Sequence, residues 1–212
     1  MIMTVSAHGG RDRSVIVANL TAAAALSGLR VLAVDADFQL QGLTRFILGE
    51  LGNRGLIDFI AGGADVEDVL VRRPIPGVDG LDLVPQSRPD MTAAGALQSS
   101  RASALFSTMT DDHDLVVLDA PSVLEAAYTA LLARFVDGLV VVVEQHMRTE
   151  DLEELAARLE LTGTPVLGYL YSARPRLALT SLITSRFGGS ERPPGPDDAA
   201  PSDRSSLPVE VR

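Results

Sequence analysis

Ile2-Met3-Thr4-Val5-Ser6-Ala7-His8-Gly9-Gly10-Arg11-Asp12-Arg13-Ser14 is an apolar run that breaks at two adjacent glycines and then, from Ser14, takes up helical spacing. A strand, a glycine-rich turn and a helix start make a cradle for phosphate. Backbone N–H groups point at the anion and the helix dipole favours it. The common form of such a loop ends Gly-Lys-Ser/Thr. Here those three positions are Asp12, Arg13 and Ser14. Gly9 and Gly10 also suit an ordinary strand-to-helix turn, and Ser14 a plain helix N-cap.

Outward from the loop, short aliphatic runs recur at residues 2–5, 31–34, 81–84, 115–118, 139–143 and 166–170. Most lack alternation, which predicts strands covered on both faces of a parallel sheet. Between them lie stretches of helical period. Residues 14–27 run to Gly28, a C-terminal stop. Ser122 and Glu125, after Pro121, form a capping box that predicts a helix. Another is predicted from Thr149, with Leu152, Leu155, Ala156 and Leu159 on one face. Residues 54–73, which include Gly55, Gly62 and Gly63, predict two short helices outside the alternation. The pattern predicts an α/β fold, a doubly wound and mostly parallel sheet with helices on both faces. Asp35-Ala36-Asp37 follows the second strand and Asp119 ends the strand at 115–118. Acids at the carboxyl ends of parallel strands, beside a phosphate loop, lie where Mg²⁺ and an attacking water would sit. Strand-end capping is their plainer explanation.

Composition narrows the chemistry. The chain has 212 residues, 46% of them hydrophobic, and no cysteine, so disulfides and thiolate metal sites are excluded. All 18 basic residues are arginine, which removes the usual phosphate-binding lysine. The longest purely aliphatic run, residues 139–143, is far short of the roughly 20 residues of a membrane span. No export signal is apparent at the start, so a cytoplasmic location is expected. The net charge of −10 disfavours non-specific nucleic-acid binding. Residues 188–212 carry five of the twelve prolines and no aromatic residue, and are expected to form a disordered acidic tail behind a single domain at 1–187. Residues 174–190 mix Arg174, Arg176 and Arg186 with apolar side chains. A last helix packed on the sheet accounts for them better than a membrane-contacting one, because Arg186 falls within the apolar face. His8 reads as a surface loop residue and His113 and His146 as having no special task. Tyr128, Tyr169 and Tyr171 read as core or sheet aromatics.

With its acids, the loop resembles the deviant Walker A motif, Lys-Gly-Gly-x-Gly-Lys-Ser/Thr, of the MinD/ParA-type P-loop ATPases. His8-Gly9-Gly10-Arg11-Asp12-Arg13-Ser14 aligns to it without gaps. Val17-Ala18-Asn19-Leu20 is similar to the helix that follows, and residues 31–37 to the family's second strand with its Asp-Ala-Asp. Residues 115–121 are similar to the Walker B strand and its Asp-x-Pro, and residues 166–171 to a late strand. Bacterial tyrosine kinases of polysaccharide export belong to the same group and are nearly as similar.

The resemblance implies ATP and Mg²⁺ as cofactors. Gly9, Gly10, Arg11, Asp12, Arg13, Ser14 and Val15 would hold the nucleotide, with Ser172 at the adenine-reading position. Ser14, Asp35 and Asp119 would hold Mg²⁺, and Asp37 would position water. Four departures stand out: His8 replaces the lysine that crosses an ATP-sandwich dimer, Asp12 a glycine, Arg13 the loop lysine, and Ser172 the asparagine that reads adenine. A carboxylate about 4 Å from a phosphate charge costs roughly 4 kcal/mol at an effective dielectric near 20. Arg11 and Arg13 flank Asp12 and are placed to pair with it, and a related branch carries Gly-Arg-Ser at the loop end. The expectation is a degenerate nucleotide site in a regulatory or scaffolding partner or a weak ATP-binding switch, with a protein partner and room for a homodimer. An active ATPase or tyrosine-kinase-like enzyme and a partitioning ATPase are the alternatives. The tyrosine kinases' C-terminal tyrosine cluster and the helix before their first strand have no counterpart in residues 1–212.

Overall fold

A computed structural model describes residues 1–145 and 147–172. Seven strands form one sheet: β1 (Ile2–Ser6), β2 (Val31–Asp35), β3 (Val71–Arg72), β4 (Leu81–Val84), β5 (Leu115–Asp119), β6 (Gly138–Glu144) and β7 (Val166–Ser172). Their order is β3-β4-β2-β5-β1-β6-β7. All pairings are parallel except that of β3 with β4. The helices are α1 (Arg11–Leu26), α2 (Gly42–Leu48), α3 (Leu56–Ile60), α4 (Val66–Val69), α5 (Ser100–Thr108), α6 (Thr129–Leu132) and α7 (Thr149–Glu160).

Successive side chains of a strand point to opposite faces, and both faces here are filled. On β2, Val31 and Ala33 join Val17 and Ala18 of α1 in one core cluster. Leu32 and Val34 join Met3, Val5, Leu56 and Leu105 in the other. This two-sided burial is why the central strands are aliphatic without alternation. α1 presents small residues, Ala18, Thr21, Ala22 and Ala25, to the sheet. It stops before Gly28, whose φ of +100° a residue with a side chain rarely adopts.

The doubly wound, mostly parallel sheet agrees with the sequence reading, as do the six predicted strands and the two short helices α3 and α4. Several local expectations need correction. α1 begins at Arg11 rather than Ser14, because extended Gly10 is the residue that lets the chain enter the helix. No helix opens at Ser122. The Ser122 hydroxyl does donate to Glu125 (2.6 Å), but that carboxylate also reaches across to Gly9, so residues 123–125 form a turn and helix resumes only at α6. In α7, Leu155 and Leu159 are buried, whereas Ala156 faces out. Tyr128 is a core aromatic, but Tyr169 and Tyr171 are 71% and 66% exposed on the edge strand β7. The short edge strand β3 was not foreseen. His146, the helix expected within residues 174–190, the domain boundary at 187 and the tail at 188–212 lie outside the described residues.

Candidate functional site

The carboxyl ends of β1, β2, β5 and β6 meet at the loop of residues 7–10. In the sheet register Asp35 lies beside Asp119, and Thr4 beside Asp119 on the other side. The predicted acids and the predicted loop therefore converge at one end of the sheet, where the strand order reverses around β1.

Arg13 turns inward. Its side chain is 1% exposed, the largest among the fully buried ones. Nε donates to Asp119 Oδ1 at 2.7 Å, Nη1 to Ser6 Oγ at 3.2 Å and Nη2 to Asp37 Oδ2 at 3.0 Å. The adjacent Ser14 hydroxyl donates to Asp119 Oδ2 at 2.5 Å. Asp37 Oδ1 accepts from the amides of Gln39 and Leu40. Asp35 Oδ1 accepts from the Asp37 amide, and Oδ2 from both the amide and the hydroxyl of Thr44. Each carboxylate oxygen of Asp35, Asp37 and Asp119 thus has a donor from the chain itself.

The electrostatics follow from burial. Desolvation, with the charge of Asp119 added, pushes the Asp35 carboxyl up to about 7 against the Thr44 hydrogen bonds. Burial also raises Asp119, opposed by Arg13 and Ser14. For Arg13, burial works against the charge, yet Asp119 and Asp37 outweigh it and hold the guanidinium above its ordinary range. The Tyr128 hydroxyl, raised by burial and by Asp37, accepts from the Phe38 amide.

A carboxylate also sits against the glycine loop. Glu125 Oε2 accepts from the Gly9 amide at 3.0 Å, and Oε1 lies 3.6 Å from His8 Nδ1. His8 Nε2 in turn lies 3.2 Å from Asp151 at the start of α7. The Ser122 hydroxyl, the Gly9 amide and His8 hold Glu125 below the usual carboxylate range. Asp12 occupies the first turn of α1. Gly10 and Val15 open with Leu40, Gly42, Arg45 and Phe46 onto a cavity of about 470 Å³. A larger one, about 560 Å³, lies at the opposite end of the sheet near Arg30 and Asp82 and contains none of the loop residues. Ser172 ends β7 on the loop side of the sheet, its carbonyl accepting from the Gln145 amide.

Of the residues singled out from sequence, Gly9, Gly10, Asp12, Arg13, Ser14, Val15, Asp35, Asp37 and Asp119 gather here, and the Arg11 backbone opens α1 beside them. Arg13 is committed to Asp119 and Asp37 rather than lying along the loop beside Asp12. Ser6, Thr44 and Glu125 were not singled out for the site. Ser6 and Thr44 carry no motif, and Glu125 was legible only as a helix cap.

Residues 2–183 match the family described as the CobQ/CobB/MinD/ParA nucleotide binding domain. Over 183 residues the chain is 33% identical to EpsB of Ralstonia solanacearum, named as a tyrosine-protein kinase, a match covering 84% of this chain and 24% of EpsB. The chain therefore spans about a quarter of that relative's length. Among solved structures, the kinase domain of the Escherichia coli tyrosine kinase ETK superposes with a TM-score of 0.74 at 23% identity, over 84% of this chain and 68% of that one. MinD of Pyrococcus horikoshii, solved with Mg-ADP, gives 0.65 at 22% identity, over 88% and 76%. Both structural likenesses concern the fold. With the family's pattern running through nearly all of the described sheet and the loop at its centre, the chain belongs to the CobQ/CobB/MinD/ParA nucleotide-binding family and is related to bacterial tyrosine-protein kinases.

Proposed function

We propose that this domain is a regulatory or scaffolding member of the family, of the polysaccharide-export kinase type, whose nucleotide site is closed by its own side chains. The observation that carries this reading is the buried Arg13 guanidinium, tied at once to Asp119, Asp37 and Ser6. The loop cation that would face the phosphates is turned away from them. Glu125 on the Gly9 amide supports the same reading, since a carboxylate already takes one of the donors that a phosphate would use. Asp12 adds a further negative charge at the helix start. The domain then acts through contacts with a protein partner, and ATP binds weakly or not at all.

Calorimetric titration with Mg·ATP, followed by a phosphate-release assay, tests this. The expected result is no binding below millimolar ATP and no release. The 33% identity to EpsB favours a second reading, an active tyrosine-kinase-like ATPase. Micromolar affinity with turnover would put that reading first.

A further inference from the structure

We propose that the Arg13 guanidinium is a resident counter-cation, standing among the carboxylates where a divalent metal would be held, so that this cluster takes no Mg²⁺. The inference rests on the closed-site reading and gives it a mechanism. Mg²⁺ requires near-octahedral oxygen ligands at about 2.0–2.1 Å. The donor set that the fold offers does not fit that demand. Asp119 spends Oδ1 on Arg13 and Oδ2 on Ser14, and Asp37 spends Oδ2 on Arg13 and Oδ1 on two backbone amides. Asp35 is held by three hydrogen bonds, two from Thr44 and one from the Asp37 amide.

The guanidinium supplies what a metal would. It is charged at every accessible pH, and its planar fork presents donors along separate edges. Nε, Nη1 and Nη2 each meet a different partner, from the ends of β5 and β1 and from the loop after β2. A lysine ammonium, a compact charge on a flexible stem, has no such planar fork with which to meet the three partners. Removing Arg13 leaves Asp37 and Asp119 buried and uncompensated, and that vacancy is one a divalent cation can fill.

The test uses the full chain and Mn²⁺, whose free aquo ion is read by electron paramagnetic resonance, with melting temperature as a second readout. Wild type is expected to leave the free-Mn²⁺ signal undiminished at this site and to melt at the same temperature with and without millimolar Mg²⁺ or Mn²⁺. Arg13→Ala is expected to melt lower, to take up one Mn²⁺ per chain, and to regain its melting temperature when Mn²⁺ is added. Arg13→Gln, closer in volume, replaces it if the alanine variant does not fold. Uptake of Mn²⁺ by wild type that Asp119→Asn abolishes would overturn the proposal, as would variants that gain no metal. The two readings fail separately. ATP binding by wild type that is equal in Mg²⁺ and in EDTA removes the closed site but keeps the resident cation. Uptake of Mn²⁺ without ATP binding does the reverse.

Discussion

Asp35 lies beside Asp119 in the sheet but outside the hydrogen bonds by which Arg13 holds Asp119, Ser6 and Asp37. Two hydrogen bonds from Thr44 and one from the Asp37 amide hold it, and burial raises its carboxyl from 3.8 to about 7. Between those values the folded chain binds more protons than the unfolded one. Its contribution to stability is therefore full below 3.8 and is lost as the pH climbs to about 7. Urea unfolding of Asp35→Asn across that window should show a flatter pH dependence than wild type, the slope rather than the absolute stability being the readout. An unchanged slope would mean that Asp35 titrates as an ordinary carboxylate. Glu125 makes a second residue-level case. Glu125→Ala frees the Gly9 amide and removes a negative charge from the loop, so affinity for inorganic phosphate should rise by about tenfold, the equivalent of about 1.4 kcal/mol. The rise in melting temperature with increasing phosphate, compared between wild type and variant, measures it, and no gain would show that Glu125 is not what keeps anions out. That Arg13 departs from the usual lysine was plain from sequence. Its inward turn was not, because its acidic partners lie 24 and 106 residues along the chain and meet it only through the sheet.

At the scale of elements, legibility tracked the length of the apolar run, since β7 reads as directly as the buried strands although most of its residues are exposed. The six predicted strands are those whose apolar runs are long enough to be read directly. β3 carries no such run: it is two residues long and has Arg72 exposed. The helix expected at Ser122 failed for a different reason: a capping-box pair is a local signal, and a loop 116 residues earlier claims the Glu125 carboxylate. Element packing also separates two glycines. A Cβ on Gly42, the first residue of α2, would collide with the Ser14 hydroxyl, which Asp119 holds in place. The three atoms nearest a Cβ on Gly138 all belong to the side chain of Leu167, which is 59% exposed and so has solvent to move into. Gly42→Ala should cost about 1–3 kcal/mol, the usual penalty for overpacking, whereas Gly138→Ala should stay within about 0.5 kcal/mol. Equal losses in urea denaturation would show that α2 yields to the added methyl, and that Ser14 is not held as tightly as its hydrogen bond implies.

For the whole molecule, the question is whether nucleotide governs assembly. In the dimer that the resemblance implies, the residue at position 8 is a lysine reaching across to the other subunit's phosphates. Here it is His8, a shorter side chain, and it lies against Glu125 and Asp151 of its own chain. A contact to a second subunit would have to draw it away from both. ATP then contributes little free energy that differs between monomer and dimer, and a ligand without such a difference shifts no equilibrium. The oligomeric state should therefore be the same with and without Mg·ATP, whether the chain is a monomer or a dimer held by other surfaces. Light scattering at neutral pH reads the mass directly. A rise from monomer to dimer on adding Mg·ATP would show that His8 or another residue does the work of the missing lysine. In that event Glu125→Ala, which loosens His8 from its own chain, should strengthen the dimer further, and the domain would be a nucleotide-driven switch rather than a scaffold.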